Sequence, residues 1–338
     1  MALKILILGI NGFIGSHLAE KILAETNWEI YGMDLASHNI ESTLTHPRLH
    51  FTVGDITQQH AWIEQQIQNC DVVLPLVAIA TPSTYVQNPL RVFELDFEAN
   101  IPMIRMCHQH QKRVIFPSTS EVYGMSTDME FNEETSNLIT GPINKERWIY
   151  SCSKQLLDRV IFAYGNHRGL KFTLFRPFNW IGPRQDNIFN PKDGGSRVLT
   201  QFISNVIHGK NIQLVDGGLQ RRCFTYIEDG IDALIKIIAN NNNQADGRIF
   251  NIGNPHSNFS IAELAEKVIK HMKAHPKTAE FANKIDIIHT SSKEYYGAGY
   301  QDVSARVPAI ENAKQYLDWQ PKVELDEAIQ KTLEFYFK

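Results

Sequence analysis

The chain reads as an α/β protein: a Rossmann-type doubly wound parallel sheet with a smaller C-terminal α/β substrate lobe. Three observations predict this. Apolar runs of strand length alternate with helical patterns, a glycine motif opens the first helix, and the alternation loosens after Phe175. The expected strands are Lys4–Leu8, Glu29–Met33, Leu49–Val53, Val72–Leu76, Arg113–Phe116 and Phe172–Phe175. Each is a mainly apolar run of strand length. Gly12–Ala24, Pro89–Gln109 and Tyr150–Tyr164 carry helical periodicity. Beyond them Gly182-Pro183, Asn190-Pro191, Gly194-Gly195 and Gly217-Gly218 punctuate short segments, and Asn240–Asn243 reads as a polar loop before Arg248–Ile252. The domains are expected at 1–178, a dinucleotide-binding half, and 179–338, a mainly substrate-binding lobe interleaved with the first.

Composition narrows the function classes. At 338 residues with a formal charge of −4, the chain has no basic excess for nucleic acid or anionic membrane, and no stretch is long enough to span a bilayer. Leu3–Leu8 runs straight into the glycine motif and reads as a strand rather than a targeting segment. Cys70, Cys107, Cys152 and Cys223 lack ligand spacing, so no metal site or disulfide framework is expected, and reduced thiols fit a cytoplasmic protein.

The glycine motif is Gly9-Ile10-Asn11-Gly12-Phe13-Ile14-Gly15, between strand and helix. In that context glycines let the backbone approach a pyrophosphate seated on the helix N-terminus. Asp34 ends the second strand, 19 residues beyond Gly15, where a carboxylate bonds a ribose 2′-hydroxyl and repels a 2′-phosphate, so NAD is expected rather than NADP. Asp55-Ile56 ends the third strand, where Asp55 either contacts the adenine or closes a turn. Pro75–Ala80, with Ala78, suits the nicotinamide side of the pocket. Tyr150 and Lys154 stand four apart on one helix face, so the ammonium is expected to lower the phenol's proton affinity and let it act as a base on a substrate hydroxyl.

These motifs, with Ser118–Gly124 and the Leu317–Pro321 turn, resemble the extended short-chain dehydrogenase/reductase family over the whole length. The strings Val77–Pro82, Pro117–Gly124, Asn144–Tyr150, Phe175–Trp180 and Tyr296–Val303 are similar to UDP-glucuronic acid decarboxylases. The resemblance is to the decarboxylase domain of the bifunctional polymyxin-resistance enzyme and to free-standing bacterial UDP-4-keto-pentose/UDP-xylose synthases. It implies that Thr119, Tyr150 and Lys154 oxidise the sugar at C4, with NAD receiving hydride. The C4 ketone, β to the C6 carboxylate, then takes up the electrons left by departing carbon dioxide.

Sugar 4,6-dehydratases carry an Asp after the matching Thr; Ser120 stands there, which argues against dehydration, and Glu121 remains beside the reacting end. Arg306 matches an arginine implied to protonate C5, although positioning the carboxylate or relaying a proton from water is the alternative, since guanidinium is effectively never deprotonated. Arg197, Arg222 and Asn179 are implied for the UDP portion, and Ala80, Tyr85, Arg147 and Tyr300 for the rest. Gln213 replaces a Lys of the bifunctional enzyme. The expected substrate is UDP-glucuronic acid and the expected product UDP-4-keto-pentose. Net non-oxidative formation of UDP-xylose and a silent NAD-binding scaffold are the alternatives, and the resemblance implies a homodimer or higher homo-oligomer.

Overall fold

A computed structural model describes residues 2–191, 196–297 and 299–338. Strands β1 (Lys4–Leu8), β2 (Glu29–Asp34), β3 (Leu49–Val53), β4 (Val72–Pro75), β5 (Arg113–Pro117) and β6 (Phe172–Pro177) form one sheet with an edge strand, Arg248–Ile252. From that edge the order runs β6, β5, β4, β1, β2, β3, and every pairing is parallel. The expected strands are therefore present. β2, β5 and β6 extend one or two residues further, and β4 stops at Pro75.

Alternate side chains of each strand feed two cores. Ile5, Ile7, Ile30, Leu74, Ile115 and Phe175 pack with Leu18, Ala19 and Ile22 of helix α1 (Phe13–Glu25) and with the helix Ile227–Ala239. Leu6, Leu8, Met33, Val73, Val114, Phe116 and Leu174 face α2 (His60–Asn69) and the helices Asn100–Gln109 and Trp148–Arg168. Sequence order reverses between β1 and β4, so a crevice opens beyond their C-terminal ends, where open α/β sheets bind ligands.

Two helices differ from expectation. The run Pro89–Gln109 is broken by a π turn at Glu94–Glu98 between Pro89–Phe93 and Asn100–Gln109. The helix expected over Tyr150–Tyr164 spans Trp148–Arg168, ending where Gly169 adopts the left-handed conformation at φ 72°. The lobe beyond β6 adds three two-stranded pairings, of which Ile212–Val215 with Ile287–Thr290 and Arg221–Cys223 with Asn258–Ser260 shape the substrate side. The turn expected at Gly194-Gly195, and Ala298 of the Tyr296–Val303 string, lie outside the described residues.

A polar chain crosses the protein between the sheet edge and this lobe. The Arg176 guanidinium donates to the Tyr123 hydroxyl (2.9 Å), which donates to Asn251 Oδ1 (2.8 Å), and the Asn251 amide donates to Glu133 Oε1 (2.7 Å). Burial pushes the Glu133 carboxyl up to about 7. A carboxyl raised on folding stabilises below its unfolded value, near 4.5, and that contribution is lost as pH rises through about 7. Glu133→Gln removes the dependence. The urea-denaturation stability of the variant should therefore gain on the parent between pH 5 and pH 8, by about 3 kcal/mol at most. A gap that stays constant across that range would show that Glu133 titrates normally.

Candidate active site

The crevice brings the two expected halves of a site together. At its cofactor end, Gly9 has φ 89° and its amide donates to Met33 O at 2.8 Å. A Cβ on Gly15 would lie 2.4 Å from Gly9 O, and one on Gly12 would lie 3.1 Å from the same oxygen. The loop is thus packed too closely against α1 for side chains, and α1 begins after Gly12 with no side-chain cap on its free amides. Asp34 closes the same turn. Its Oδ2 accepts the Asn11 amide at 2.8 Å and its Oδ1 the Leu35 amide at 2.7 Å. Burial pushes its carboxyl up, and these amides oppose the shift. Asn11 also accepts from the Asn39 amide and, through its carbonyl, from Asn39 Nδ2, fixing the loop after β2. Phe13 and Ile14 begin α1. Asp55 Oδ1 accepts both the amide and the hydroxyl of Thr57, at 2.8 and 2.7 Å, so the turn-closing role is realised at that position. Ile56 is buried and Ala78 half-buried, both just beyond sheet strands. A cradle without side chains, a helix N-terminus and a carboxylate at the end of β2 fit a dinucleotide.

At the centre, Tyr150 and Lys154 rise on one face of the helix Trp148–Arg168, and the Thr119 hydroxyl, just after β5, acts on the Tyr150 phenol to lower its proton affinity. Thr119 also caps the turn Ser120–Tyr123 by accepting the Glu121 amide at 3.2 Å. Ser120 is buried there. Lys154 Nζ donates to Pro117 O at 3.1 Å and lies 3.9 Å from Asp96 Oδ1. The phenol is not lowered as the sequence led us to expect. Burial drives its proton affinity well above the ordinary value, the charges of Asp96 and Glu121 add to that, and Thr119 and Arg306 pull the other way. Tyr85, expected along the substrate, is instead buried beneath the phenol, its ring stacked on Tyr150 at 4.6 Å and 8°.

Toward the substrate lobe lies a cavity lined by Ala80, Glu121, Arg147, Asn179, Arg197, Gln213, Arg222, Tyr300 and Arg306, all expected there, together with Asp302, Gln185, Tyr295 and Tyr296. Glu121 is its pivot. Oε2 accepts Arg147 Nη2 at 2.6 Å, and Oε1 lies 3.3 Å from Arg306 Nη1. Burial alone would push the Glu121 carboxyl up, but Arg147 and Arg306 outweigh it and hold the group ionised. Asp302 pairs with Arg222 (2.6 Å) and approaches Arg306 (3.8 Å). Arg147 donates also to Gln301 O at 3.0 Å, while the Tyr300 ring stacks on Tyr296 at 4.0 Å. Asn179 sits at φ 42°, and its buried Nδ2 has no hydrogen-bond partner among the described residues.

Sequence reasoning passed over Asp96 and Asp302. Asp302 lies inside a quoted motif but carries no separate signal. Asp96 shares a buried helix face with Val92, Asn100 and Met103, and polar residues at apolar-period positions were the available clue.

A match to the NAD dependent epimerase/dehydratase family spans residues 5–253. The chain belongs to this family. NAD is the family's cofactor, and the glycine cradle and Asp34 are built for such a dinucleotide. Among solved structures, the PbgP3 protein from Burkholderia pseudomallei is 52% identical with a TM-score of 0.91, covering 99% of this chain and 96% of that one. The UDP-glucose 4-epimerase of Thermotoga maritima, solved with UDP-glucose, shares the fold at 21% identity and TM-score 0.80, covering 99% and 98%. A mutant UDP-glucuronic acid 4-epimerase from Bacillus cereus, solved with UDP-4-deoxy-4-fluoro-glucuronic acid and NAD, does so at 21% and 0.80, covering 98% of each chain. Among the described residues no helix is long and apolar enough to cross a membrane.

The glycine contacts make a direct test. Gly15→Ala should weaken NADH binding about tenfold or more, on the scale of an overpacked interior. Gly209→Ala, at φ 67° with open space around it, should leave binding unchanged. Fluorescence titration of both variants with NADH measures the difference, and equal affinities would show that the loop does not receive the dinucleotide.

Proposed function

We propose that this family member oxidises and decarboxylates UDP-glucuronic acid, using NAD and yielding UDP-4-keto-pentose, carbon dioxide and NADH. The observation that carries the reading is Glu121, ionised between Arg147 and Arg306 at the end of the cavity nearest Tyr150. A substrate anionic at both a diphosphate and a carboxylate needs fixed donors, and Arg197, Arg222, Arg306 and the unpartnered Asn179 amide supply them along one cavity. The Bacillus cereus epimerase, alike in fold, holds a UDP-hexuronate and NAD together.

In this reading Thr119 orients the sugar 4-hydroxyl, and Tyr150 takes its proton as the phenolate, a form that burial disfavours and that the positive charge of a bound oxidised cofactor would favour. A bound NAD would supply the acceptor for the hydride that leaves C4. The C5–C6 bond then breaks, carbon dioxide leaves, and its electron pair moves into the C4 ketone as an enolate that protonated Tyr150 hydrogen-bonds. The new proton is delivered to C5. Glu121 is ionised and so is not the acid in that step as folded. Its charge, facing the arriving C6 carboxylate, keeps Arg306 from pairing fully with it, so the ground state is not overstabilised. Ser120, where a dehydratase would carry an acid, offers no proton donor for a departing 6-hydroxyl. Exposed Leu156 and Phe162 on the helix Trp148–Arg168 support association with a second copy through that helix.

Pure protein incubated with UDP-glucuronate and NAD should form UDP-4-keto-pentose by NMR, with one NADH per sugar consumed. UDP-xylose without NADH would instead establish the redox-neutral alternative, and no conversion of UDP-glucuronate would sink the proposal. Tyr150→Phe should remove roughly two to four orders of magnitude of turnover while leaving NAD affinity nearly intact. Glu121→Gln should bind NAD normally yet stop carbon dioxide release; release at the parent rate would remove Glu121 from the reaction.

A further inference from the structure

Asp96 is an ionisable group beside the candidate redox pair for which the reading above has no task. It is fully buried in the π turn Glu94–Glu98. Such turns widen a helix by one residue and collect at functional sites. Asn100 Nδ2 donates to the carbonyls of Leu95 and Asp96, both at 3.2 Å, stabilising the widened turn. The Asp96 side chain bridges two other elements: both oxygens accept the Ile79 amide at 3.2 Å, in the loop beyond β4, and Oδ1 faces Lys154 Nζ at 3.9 Å.

Lys154 needs such a partner. It is 1% exposed, sits over the Phe116 ring at 4.8 Å, and has one carbonyl, Pro117 O, as hydrogen-bond acceptor. Burial drives an isolated ammonium toward its neutral form. Asp158, one turn along the same helix, also favours the charged lysine, but its Oδ2 already accepts Ser118 Oγ at 2.7 Å and Arg176 Nη2 at 3.2 Å. Among the described residues, Asp96 is the carboxylate within ion-pair distance of Lys154. The other charged or titratable groups around the pair are Tyr150 and Tyr85, both raised first by burial and further by the Asp96 charge, with Glu121 and Arg306 acting on Tyr150 from the cavity side.

We infer that Asp96 is the counter-ion of Lys154, a positioning residue that keeps the lysine charged in dry protein and locks it to the loop beyond β4. The Asp96 charge also adds to the burial that raises the Tyr150 phenol. Burial raises the Asp96 carboxyl to about 6 against the pull of Lys154, so the pair is complete at neutral pH and weakens in acid. Its importance for turnover rests on the proposed function, whereas the ion pair itself does not.

The test needs neither substrate nor cofactor. Protein labelled with carbon-13 at the lysine ε-carbons and aspartate carboxyls is titrated by NMR, with Lys154 assigned through Lys154→Arg. In Asp96→Asn the Lys154 midpoint should fall by about one to three pH units, the usual effect of an opposite charge at this range. In Lys154→Met the Asp96 midpoint should rise above about 6. This second arm decides the matter where Asp96→Asn does not fold. Unmoved midpoints, with or without a lower melting temperature, would overturn the inference and leave Asp96 a packing residue. Shifted midpoints in a protein that leaves UDP-glucuronate unchanged would uphold the ion pair and reject the proposed function instead.

Discussion

Charge withdrawn from water has to be matched by charge, and that constraint organises the interior of this protein beyond the ends of its strands. Glu121 and Asp302 are tied to Arg147, Arg222 and Arg306, Asp96 faces Lys154, and Asp158 holds Arg176. Breaking any one of these pairs would strand an ion in low dielectric, a cost larger than most single packing contacts contribute. The pairs therefore fix the backbone that carries them: the turn after β5, the start of the helix Trp148–Arg168, the strand Arg221–Cys223 and the segment around 300–306.

The parallel sheet makes this concentration of charge possible. Its two faces are filled mainly with aliphatic and aromatic side chains, so the charged clusters of the candidate site gather in the crevice past the C-terminal strand ends. There the cofactor cradle is made from backbone and glycines, while the substrate cavity is made from long side chains. The first site is rigid by exclusion, because Gly15 leaves no room for anything else. The second is held by ion pairs that an anionic ligand can re-partner.

What was legible in the sequence follows the same division. The Gly9–Gly15 motif, Asp34, and the Tyr150/Lys154 spacing are local signals whose meaning depends on a strand or helix a few residues away, and the sheet could be read strand by strand. Burial and pairing are not local. The family resemblance implied Tyr85 along the substrate, but folding stacks it under Tyr150. The Y-x-x-x-K spacing gave Lys154 an unopposed charge because nothing in it reveals Asp96, which reaches the lysine only through a π turn that no periodicity announces. Asp302 was invisible as an anion for Arg222 because their pairing spans 80 residues.

The bonds that complete the cavity have a bearing on how the chain acquires it. Arg147 meets Gln301 across 154 residues, whereas the glycine cradle is closed within the first strand–helix–strand unit. Loop-closure entropy makes distant contacts late ones. A chain that folds its dinucleotide half first would hold a finished nucleotide cradle while Glu121 and Arg147 still await the segment that confines them. Regain of cofactor affinity and regain of catalysis are then separate events in time, and a chain halted between them would be a competent binder of dinucleotide with no chemistry.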